Sequence, residues 1–272
     1  MASFAPFQAR PLVDADRADA LRLAEAVGLH GVYLRNDLCA GIGEAIGLYG
    51  RDDLLGCIWF GPRGNMVVIE REPLDPYRVA EAIESAQWPW RIALGPAAAL
   101  NLLAERLPTT PLVLRDQVYY GCRPQDAQPL EGSLEARPAQ RGDCERLVDA
   151  ALDLHHRDLN IRPDRVDRRW LREAVMARIA DGTCLVLGPV GGFHSKLDLG
   201  SRGPAGLVIE GVYTFPEARG KSHAGALVAA AALAYRGPMA CLHVSASNVP
   251  ARRAYERAGL QAERSCRLLL CN

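Results

Sequence analysis

The chain has 272 residues, of which 49% are hydrophobic and 24% are charged, as is typical of a soluble globular protein with one large core or two smaller ones. Its 32 basic and 32 acidic residues give a formal net charge of zero, which argues against a nucleic-acid-binding protein and against a basic protein of membrane surfaces. We therefore expect neither a nucleic acid nor a membrane as partner, whereas a monomer and a homodimer both stay open.

The eight cysteines form no C-x-x-C pair, and several of them lie inside apolar runs. This pattern predicts buried thiols in a reducing compartment, with neither disulfides nor a metal site. The first residues, MASFAPFQARPLVDAD, lack the early positive charge and the continuous apolar core of a signal peptide. The longest apolar stretch, Ala224–Tyr235, is too short to span a bilayer. We therefore expect a cytoplasmic protein.

The first half of the chain alternates helical and strand patterns. Residues 14–28 place apolar and charged side chains at helical spacing and end on a glycine, as an amphipathic helix does. Asp75-Pro76 marks the start of a second helix. The predicted elements are, in order, a helix (14–28), three strands (46–49, 54–60 and 66–70), a helix (77–86), a strand (91–94), a helix (97–106) and a strand (112–120).

A polar segment with two prolines, Arg123–Gly132, has no periodicity and is predicted to be a linker. The elements predicted after it are a strand (134–137), two helices (143–154 and 166–179) and two strands (183–188 and 192–199).

The stretch Leu207–Tyr235 has the order strand, basic loop and alanine-rich helix. The first turn of a helix has unpaired N–H groups and about half a positive charge, so it favours an anion. Gly220 allows a ligand close to the backbone, while Arg219 and Lys221 add charge. This pattern predicts a pyrophosphate site, and an ordinary strand-to-helix connection with solvated basic side chains is the alternative.

A strand (240–245) and a helix (249–258) follow, and residues 268–271 are predicted to form a last strand. Asn248 stands at the N-cap position of that helix, Pro250 lies in its first turn, and Gly259 ends it.

Two motifs in this order resemble those of the GCN5-related N-acetyltransferase (GNAT) family. VYTFPEARGKSHA, residues 212–224, is similar to the family's acetyl-CoA pyrophosphate loop, and NVPARRAYERAGL, residues 248–260, is similar to the asparagine–alanine–tyrosine–glycine helix that follows strand five. The resemblance covers about residues 134–272. It implies a mixed α/β fold of the GNAT type. One position departs from the motif, because the family usually has glycine where this chain has Ser222, whose Cβ restricts the backbone.

The first half runs its predicted elements in much the same order, and so it resembles a second, degenerate copy of the same fold. We predict a degenerate domain over residues 1–125 and an acetyltransferase domain over residues 133–272. At the corresponding strand-to-helix junction the first half has three carboxylates, Glu70, Glu72 and Asp75, which would repel a pyrophosphate. We expect this domain to bind no coenzyme A there and to shape the acceptor side or cover a sheet edge.

The resemblance also implies the residues of a site for acetyl-CoA. The pantetheine arm would pair with the strand edge near Val212 and Thr214, where the sheet splays, and an amide near Val212 would polarise the thioester carbonyl. The residues expected at the cofactor are Val212, Thr214, Arg219, Gly220, Lys221, Ser222, His223, Ala224 and Asn248.

Two side chains are candidates for the proton transfers. Tyr255, seven residues after Asn248, is the candidate general acid, and a core aromatic residue is the alternative. Glu210 is the candidate base, because strict alternation along the strand would put it on the same face as Val212 and Thr214. A salt-bridged strand glutamate is equally compatible with the pattern. His243 is the second candidate base, and deprotonation through water needs neither residue.

The implied activity is acetyl transfer from acetyl-CoA to an amine of a small molecule or a protein. A binding or sensing module without catalysis, and an acyltransferase that uses a longer acyl-CoA, are the alternatives. The acceptor cannot be identified from the sequence. Residues 154–165, predicted to be a loop, are a candidate wall of its site through His155, His156 and Arg157, and a solvated loop is the alternative.

Overall fold

The structure, a computed structural model, describes residues 4–51, 53–130 and 135–271. The predicted domain boundary at residue 133, the end of the predicted linker and the first residue of the strand predicted at 134–137 lie outside these ranges, as do the first three residues of the N-terminal segment. Within the described ranges, no helix combines the length and the apolar character needed to cross a membrane.

The first repeat of the structure comprises six strands and four helices. The strands are β1 (Gln8–Pro11), β2 (Glu44–Tyr49), β3 (Leu54–Phe60), β4 (Asn65–Glu70), β5 (Ile92–Gly95) and β6 (Val113–Cys122). The helices are α1 (Arg17–Ala26) and α2 (Val32–Ala40), which both precede β2, α3 (Pro76–Ser85) between β4 and β5, and α4 (Ala97–Arg106) between β5 and β6.

The second repeat has the same elements in the same order. Its strands are β7 (Ala136–Pro138), β8 (Cys184–Leu187), β9 (Ser195–Gly203), β10 (Gly206–Thr214), β11 (Ala240–Ser245) and β12 (Gln261–Leu270). Its helices are α5 (Cys144–Leu159), α6 (Arg168–Ala180), α7 (His223–Ala234) and α8 (Val249–Arg257). The predicted mixed α/β fold with two similar copies is therefore confirmed.

An ion pair at the start of each repeat has the same geometry in both. Arg10 donates to both carboxylate oxygens of Asp16, at 2.7 and 2.9 Å, and Arg137 donates to both oxygens of Asp143, at 2.8 and 3.0 Å. In both repeats a main-chain N–H three residues before the aspartate donates to it as well. The two copies share the sequence pattern A-R-P-x-x-x-x-D, and the carboxylate in each closes the turn that leads into a helix.

The last strands of the two repeats cross the boundary between two compact units. Unit 1 comprises Met1–Tyr119, Gly203–Ala205 and Arg264–Asn272, and unit 2 comprises Tyr120–Arg202 and Gly206–Glu263. In unit 1 the strand order is β1-β2-β3-β4-β5-β12, and β5 pairs antiparallel with β12, with Gly95 opposite Arg267. In unit 2 the order is β7-β8-β9-β10-β11, and β11 is followed by β6, of which only residues 120–122 belong to this unit. The predicted domains, residues 1–125 and 133–272, correspond to the two repeats and remain a prediction. The two compact units do not follow these boundaries, since Gly203–Ala205 belongs to unit 1.

Each unit has its own hydrophobic core. In unit 1, one face of the sheet packs on α3 and α4 through a cluster that includes Ile58, Leu100 and Leu269. In unit 2, α5 and α6 pack on the sheet through a cluster that includes Val148, Val175 and Val186. Helix α3 begins where its sequence predicts, since the Asp75 carboxylate accepts from the Tyr77 N–H at 3.0 Å.

Most predicted elements are present, with four differences. The last strand, predicted at residues 268–271, is longer, since β12 begins at Gln261. The strand β1 and the helix α2 were not predicted, because β1 has only four residues and α2 has little amphipathic character. Helix α5 continues through residues 155–157 to Leu159, so the prediction of a loop from residue 154 is wrong at these positions. Asn160, in the left-handed conformation, ends the helix there.

The prediction of buried thiols is confirmed for six of the eight cysteines. Five of the six arginines in residues 157–172 pair with carboxylates on the surface. The pairs are Arg157–Asp153, Arg162–Asp164, Arg168–Asp149, Arg169–Glu173 and Arg172–Glu145.

The pairing of β12 with β5 leads to a prediction about Leu269, which lies on β12 and is fully buried in the unit 1 core. We expect Leu269→Ala to lower the free energy of unfolding by about 2–5 kcal/mol, because it leaves a cavity. Amide hydrogen exchange should quicken in β5, the partner of β12, more than in β11. As a control, Leu233→Ala, at a side chain that is 41% exposed, should change stability by less than about 0.5 kcal/mol. Loss of protection in β11 and not in β5 would contradict the assignment of β12 to unit 1.

Candidate active site

The site begins where the parallel strands β10 and β11 separate. Their register joins Leu207 with Ala240 and Val208 with Cys241, and in the described residues it extends no further. Strand β10 continues to Thr214 and β11 to Ser245. The facing edges of the two strands beyond Val208 are therefore free of each other, which leaves main-chain groups available to a ligand that binds as an added strand.

A β-bulge at Gly211 determines which groups face this gap. Gly211 has a φ of 53°, and a Cβ at this position would lie 2.9 Å from both Lys196 Nζ and Asp198 Oδ2. Both the conformation and the space require glycine. Beyond the bulge, the Phe215 N–H donates to the carbonyl of His194, on the β9 side. Because successive residues of a strand present their main-chain groups to opposite edges, the groups of Val212 and Thr214 face the gap.

The bulge also changes the position of Glu210. A Cβ on Gly200 would lie 2.6 Å from Glu210 Cδ, so the carboxylate lies over β9 on the face that carries Lys196 and Asp198. The Thr214 hydroxyl instead contacts the Ser195 hydroxyl, on the opposite face, at 3.0 Å. The predicted shared face of Glu210 with Val212 and Thr214 is therefore wrong, because the extra residue of the bulge breaks the alternation. Burial raises the pKa of Glu210 to about 7.

The loop from Arg219 to Ala224 presents a row of free main-chain donors. In the described part of the chain, the N–H groups of residues 220–225 have no hydrogen-bond acceptor, and the first helical bond is that of Ala226 to the Ser222 carbonyl. Gly220 has a φ of 78°, and no described heavy atom lies within 4 Å of the place of its missing Cβ. Lys221 and Arg219 are exposed, and the Arg219 guanidinium turns back to donate to the Thr214 carbonyl at 3.1 Å. The loop can thus accept an anion.

Ser222 stands at the N-cap of α7 in the left-handed conformation, with a φ of 60°. An L-residue in this conformation costs about 1–2 kcal/mol relative to the right-handed one, a cost that glycine does not have. Within the described residues its hydroxyl makes no capping hydrogen bond. The Cβ of Ser222 therefore places strain on the backbone, as expected, while the Ser222 N–H remains available to a ligand.

His223, the first residue of α7, turns its ring away from solvent. The ring stacks on His194 with 5.3 Å between the centroids, and its Nδ1 is buried with no partner among the described residues. Burial, followed by the charges of His194 and Lys221, lowers the pKa of His223. His223 can therefore contribute its main-chain N–H, and not its ring, to the binding of an anion.

Asn248 caps α8 as predicted, because its side-chain oxygen accepts from the Ala251 N–H at 3.2 Å. Two turns further on, Tyr255 is buried, with 5% of its surface exposed. Burial, followed by the charge of Asp158, raises the pKa of Tyr255, so its hydroxyl keeps its proton at neutral pH. Helices α7 and α8 approach closely, since a Cβ on Gly225 would lie 2.8 Å from the Ala254 carbonyl oxygen.

A buried ion cluster next to the bulge was not predicted from the sequence. Asp198 accepts from Lys196 Nζ at 2.7 Å and from Arg178 at 2.9 Å, and the Lys196 side chain is only 4% exposed. Burial would raise the pKa of Asp198, but these two cations bring it below its ordinary value. The signal was present in the sequence as K-L-D, which places two charges on one face of a strand that is otherwise apolar or small.

The residues proposed for the acceptor wall lie on α5. Arg157 pairs with Asp153, and the Asp153 carboxylate also accepts from the Tyr213 hydroxyl at 2.6 Å. His156 is exposed. His155 is half-buried, and burial, followed by the charges of Lys196 and Arg178, lowers its pKa. The second candidate base, His243, is half-buried on β11.

The corresponding junction of the first repeat is arranged differently. Glu70 accepts from the Leu74 N–H at 3.1 Å, and Asp75 accepts from the Tyr77 N–H at the start of α3. Burial raises the pKa of Glu70. These carboxylates take up two main-chain N–H groups of the junction.

The sequence profile described as the Acetyltransferase (GNAT) family matches residues 145–260. No curated protein matches the chain significantly.

Three solved structures resemble the chain over almost its whole length. A Drosophila protein is 16% identical, with 96% of this chain and 98% of that chain covered and a TM-score of 0.66. A GCN5-related N-acetyltransferase from Sphaerobacter thermophilus is 18% identical, with 97% and 94% covered and a TM-score of 0.58. A GNAT-family acetyltransferase from Colwellia psychrerythraea is 13% identical, with 97% and 99% covered and a TM-score of 0.53. At these identities the likeness shows the fold alone.

The chain therefore has the GNAT fold, and its residues 145–260 match the model of the GNAT acetyltransferase family.

Proposed function

We propose that this protein transfers an acetyl group from acetyl-CoA to an amine of a small molecule or a protein. One observation carries the proposal, namely that the free N–H groups of residues 220–225 lie at the end of β10, next to its unpaired edge. A diphosphate can accept from these N–H groups, and an extended amide arm can pair with the edge of β10. Both features are present in one unit.

The residues fit acetyl-CoA in the following way. The main-chain N–H groups from Gly220 to Ala224 would bind the diphosphate, and the exposed Lys221 side chain would add charge. The edge of β10 at Val212 and Thr214 would pair with the pantetheine arm. The Thr214 carbonyl is already held by Arg219, so Val212 is the stronger partner. Asn248 caps α8, and its contact with the cofactor stays a prediction.

Bound acetyl-CoA supplies an acetyl group activated as a thioester. The Val212 N–H faces the gap and would donate to the carbonyl oxygen, where negative charge develops. Glu210 would remove the proton of the attacking amine, directly or through a water, because a base with a pKa near 7 is effective at neutral pH. The Tyr255 Oη would give its proton to the leaving sulfur.

Two other functions remain compatible with the same site. Ser222, which stands where the family usually has glycine, favours a binding or sensing module without catalysis, because its Cβ lies in the loop that would hold the diphosphate. A longer acyl-CoA would need the same donors. Release of free thiol with acetyl-CoA and a panel of amines distinguishes the enzyme from the sensor. A comparison of acyl chain lengths distinguishes acetyl-CoA from a longer acyl-CoA as the substrate.

The strain at Ser222 predicts the response to substitution. We expect Ser222→Gly to be more stable by up to about 1 kcal/mol and to bind acetyl-CoA as tightly as the natural chain in isothermal titration, because the loop is already left-handed without the ligand. Ser222→Ala is the matched control, because it keeps the Cβ and loses only the hydroxyl, and its affinity should not change. Weaker binding by both variants would instead assign the affinity to the hydroxyl. No binding by the natural chain at millimolar acetyl-CoA would refute the proposed function.

The raised pKa of Glu210 predicts a pH dependence. A base works only when deprotonated, so kcat/KM should rise as the pH increases through about 7 and then level off until the acceptor amine itself titrates. In Glu210→Gln we expect this limb to disappear and kcat to fall about 10²-fold or more. Glu173→Gln, at an exposed carboxylate on α6, should keep the limb. An unchanged profile in Glu210→Gln would favour deprotonation through water or another base.

The proton-donor role makes a prediction for Tyr255→Phe. We expect kcat for thiol release to fall about 10²-fold, whereas the KM for acetyl-CoA changes little, because the ring still fills its place. Thermal unfolding of the variant shows whether the fold is intact. Equal turnover by the variant and the natural chain would assign Tyr255 to the core alone.

A further inference from the structure

The end of strand β6 places Tyr120 in unit 2. Tyr120 lies on β6, the last strand of the first repeat, yet it belongs to unit 2 with β11 and α8. Its side chain is fully buried. A buried phenol needs a partner for its hydroxyl, so its contacts show what this strand supplies to the second repeat.

Tyr120 contacts three residues of α8. Its hydroxyl donates to Glu256 Oε1 at 2.9 Å and accepts from Arg252 Nε at 3.0 Å. Its ring meets the Tyr255 ring edge to face, with 6.4 Å between the centroids. Glu256 and Arg252 are four residues apart, one turn of the helix, so the two bonds fix the rotation of α8 about its axis. That rotation decides where the Tyr255 hydroxyl lies.

The same arginine fixes the start of the helix. Arg252 Nη1 donates to the Ala246 carbonyl at 3.0 Å, in the connection between β11 and α8 that also carries Asn248. One guanidinium therefore links the Tyr120 hydroxyl to this connection. Burial raises the pKa of Tyr120, which keeps the hydroxyl protonated as a donor to Glu256.

We propose that Tyr120 is a positioning residue for Tyr255, supplied to the acetyltransferase site by the first repeat. The proposal rests on the proposed function, since it assigns Tyr120 a part in catalysis through Tyr255. It gives the first repeat a task in the reaction that needs no coenzyme A site of its own. That task is to supply the strand on which the proton-donating helix is held.

A double-mutant cycle tests this role. We expect Tyr120→Phe to lower kcat about tenfold with little change in the KM for acetyl-CoA, because it removes both hydrogen bonds and keeps the ring. In the Tyr255→Phe background the same substitution should have no further effect on kcat. Equal losses in both backgrounds would show that Tyr120 acts independently of Tyr255 and would overturn the proposal, as would an unchanged kcat in Tyr120→Phe.

Tyr119→Phe is the matched control, because Tyr119 is the preceding residue on β6, is equally buried and packs its ring on His30. Its kcat should stay within twofold of the natural chain. Should Tyr120→Phe fail to fold, Arg252→Lys serves in its place, since lysine keeps the charge and cannot make both bonds of the fork. The cycle with Tyr255→Phe should then give the same non-additive result.

A second measurement needs no activity, so that failure of the proposed function can be told apart. With tyrosines labelled by ¹³C at Cζ, the Tyr255 resonance, assigned by its loss in Tyr255→Phe, should move in Tyr120→Phe and stay in place in Tyr119→Phe. An unmoved resonance in Tyr120→Phe overturns the positioning role. A natural chain that releases no thiol, together with a moved resonance, refutes the acetyltransferase proposal and leaves the positional link intact.

Discussion

The steric constraint at Gly211 determines the arrangement of the site. A buried Lys196–Asp198 pair occupies the space that a side chain at residue 211 would need, and the backbone there takes a conformation that glycine adopts at little cost. The resulting bulge turns the main-chain groups of Val212 toward the gap and moves Glu210 onto the face of α5 and α6. The ion pair is thus part of the site although neither of its residues was predicted to touch a ligand. A buried charge pair is weak support for stability, but here it fixes a backbone shape.

The two repeats share their construction and differ in chemistry. Both begin with an arginine that holds an aspartate through two bonds, and both place parallel strands, β4 with β5 and β10 with β11, where a helix starts beyond the first of them. In the second repeat the helix start keeps its main-chain donors free. In the first repeat two carboxylates accept from main-chain N–H groups at the corresponding junction. The two repeats therefore share a frame and differ in the donors that it leaves available.

Local signals predicted the elements well, because they depend on neighbouring residues. The cap at Asn248, the strand at 240–245 and the proline start of α3 all follow from a few adjacent residues. The position of Glu210 could not be obtained in this way, since one glycine in a β-branched run does not reveal whether it bulges until the neighbouring strand is known. The pairing of β12 with β5 of the other repeat was equally invisible. Both strands have ordinary strand patterns, and the choice of partner depends on residues far along the chain.

The pairing of β12 with β5 has a consequence for how the protein is made. During synthesis β5 emerges long before β12, so the edge of β5 that pairs with β12 stays open while the second repeat is produced. The loop that must close to join Gly95 with Arg267 is long, which slows folding. The last strand of the second repeat thus covers an edge of the first, and this pairing couples the folding of the two copies.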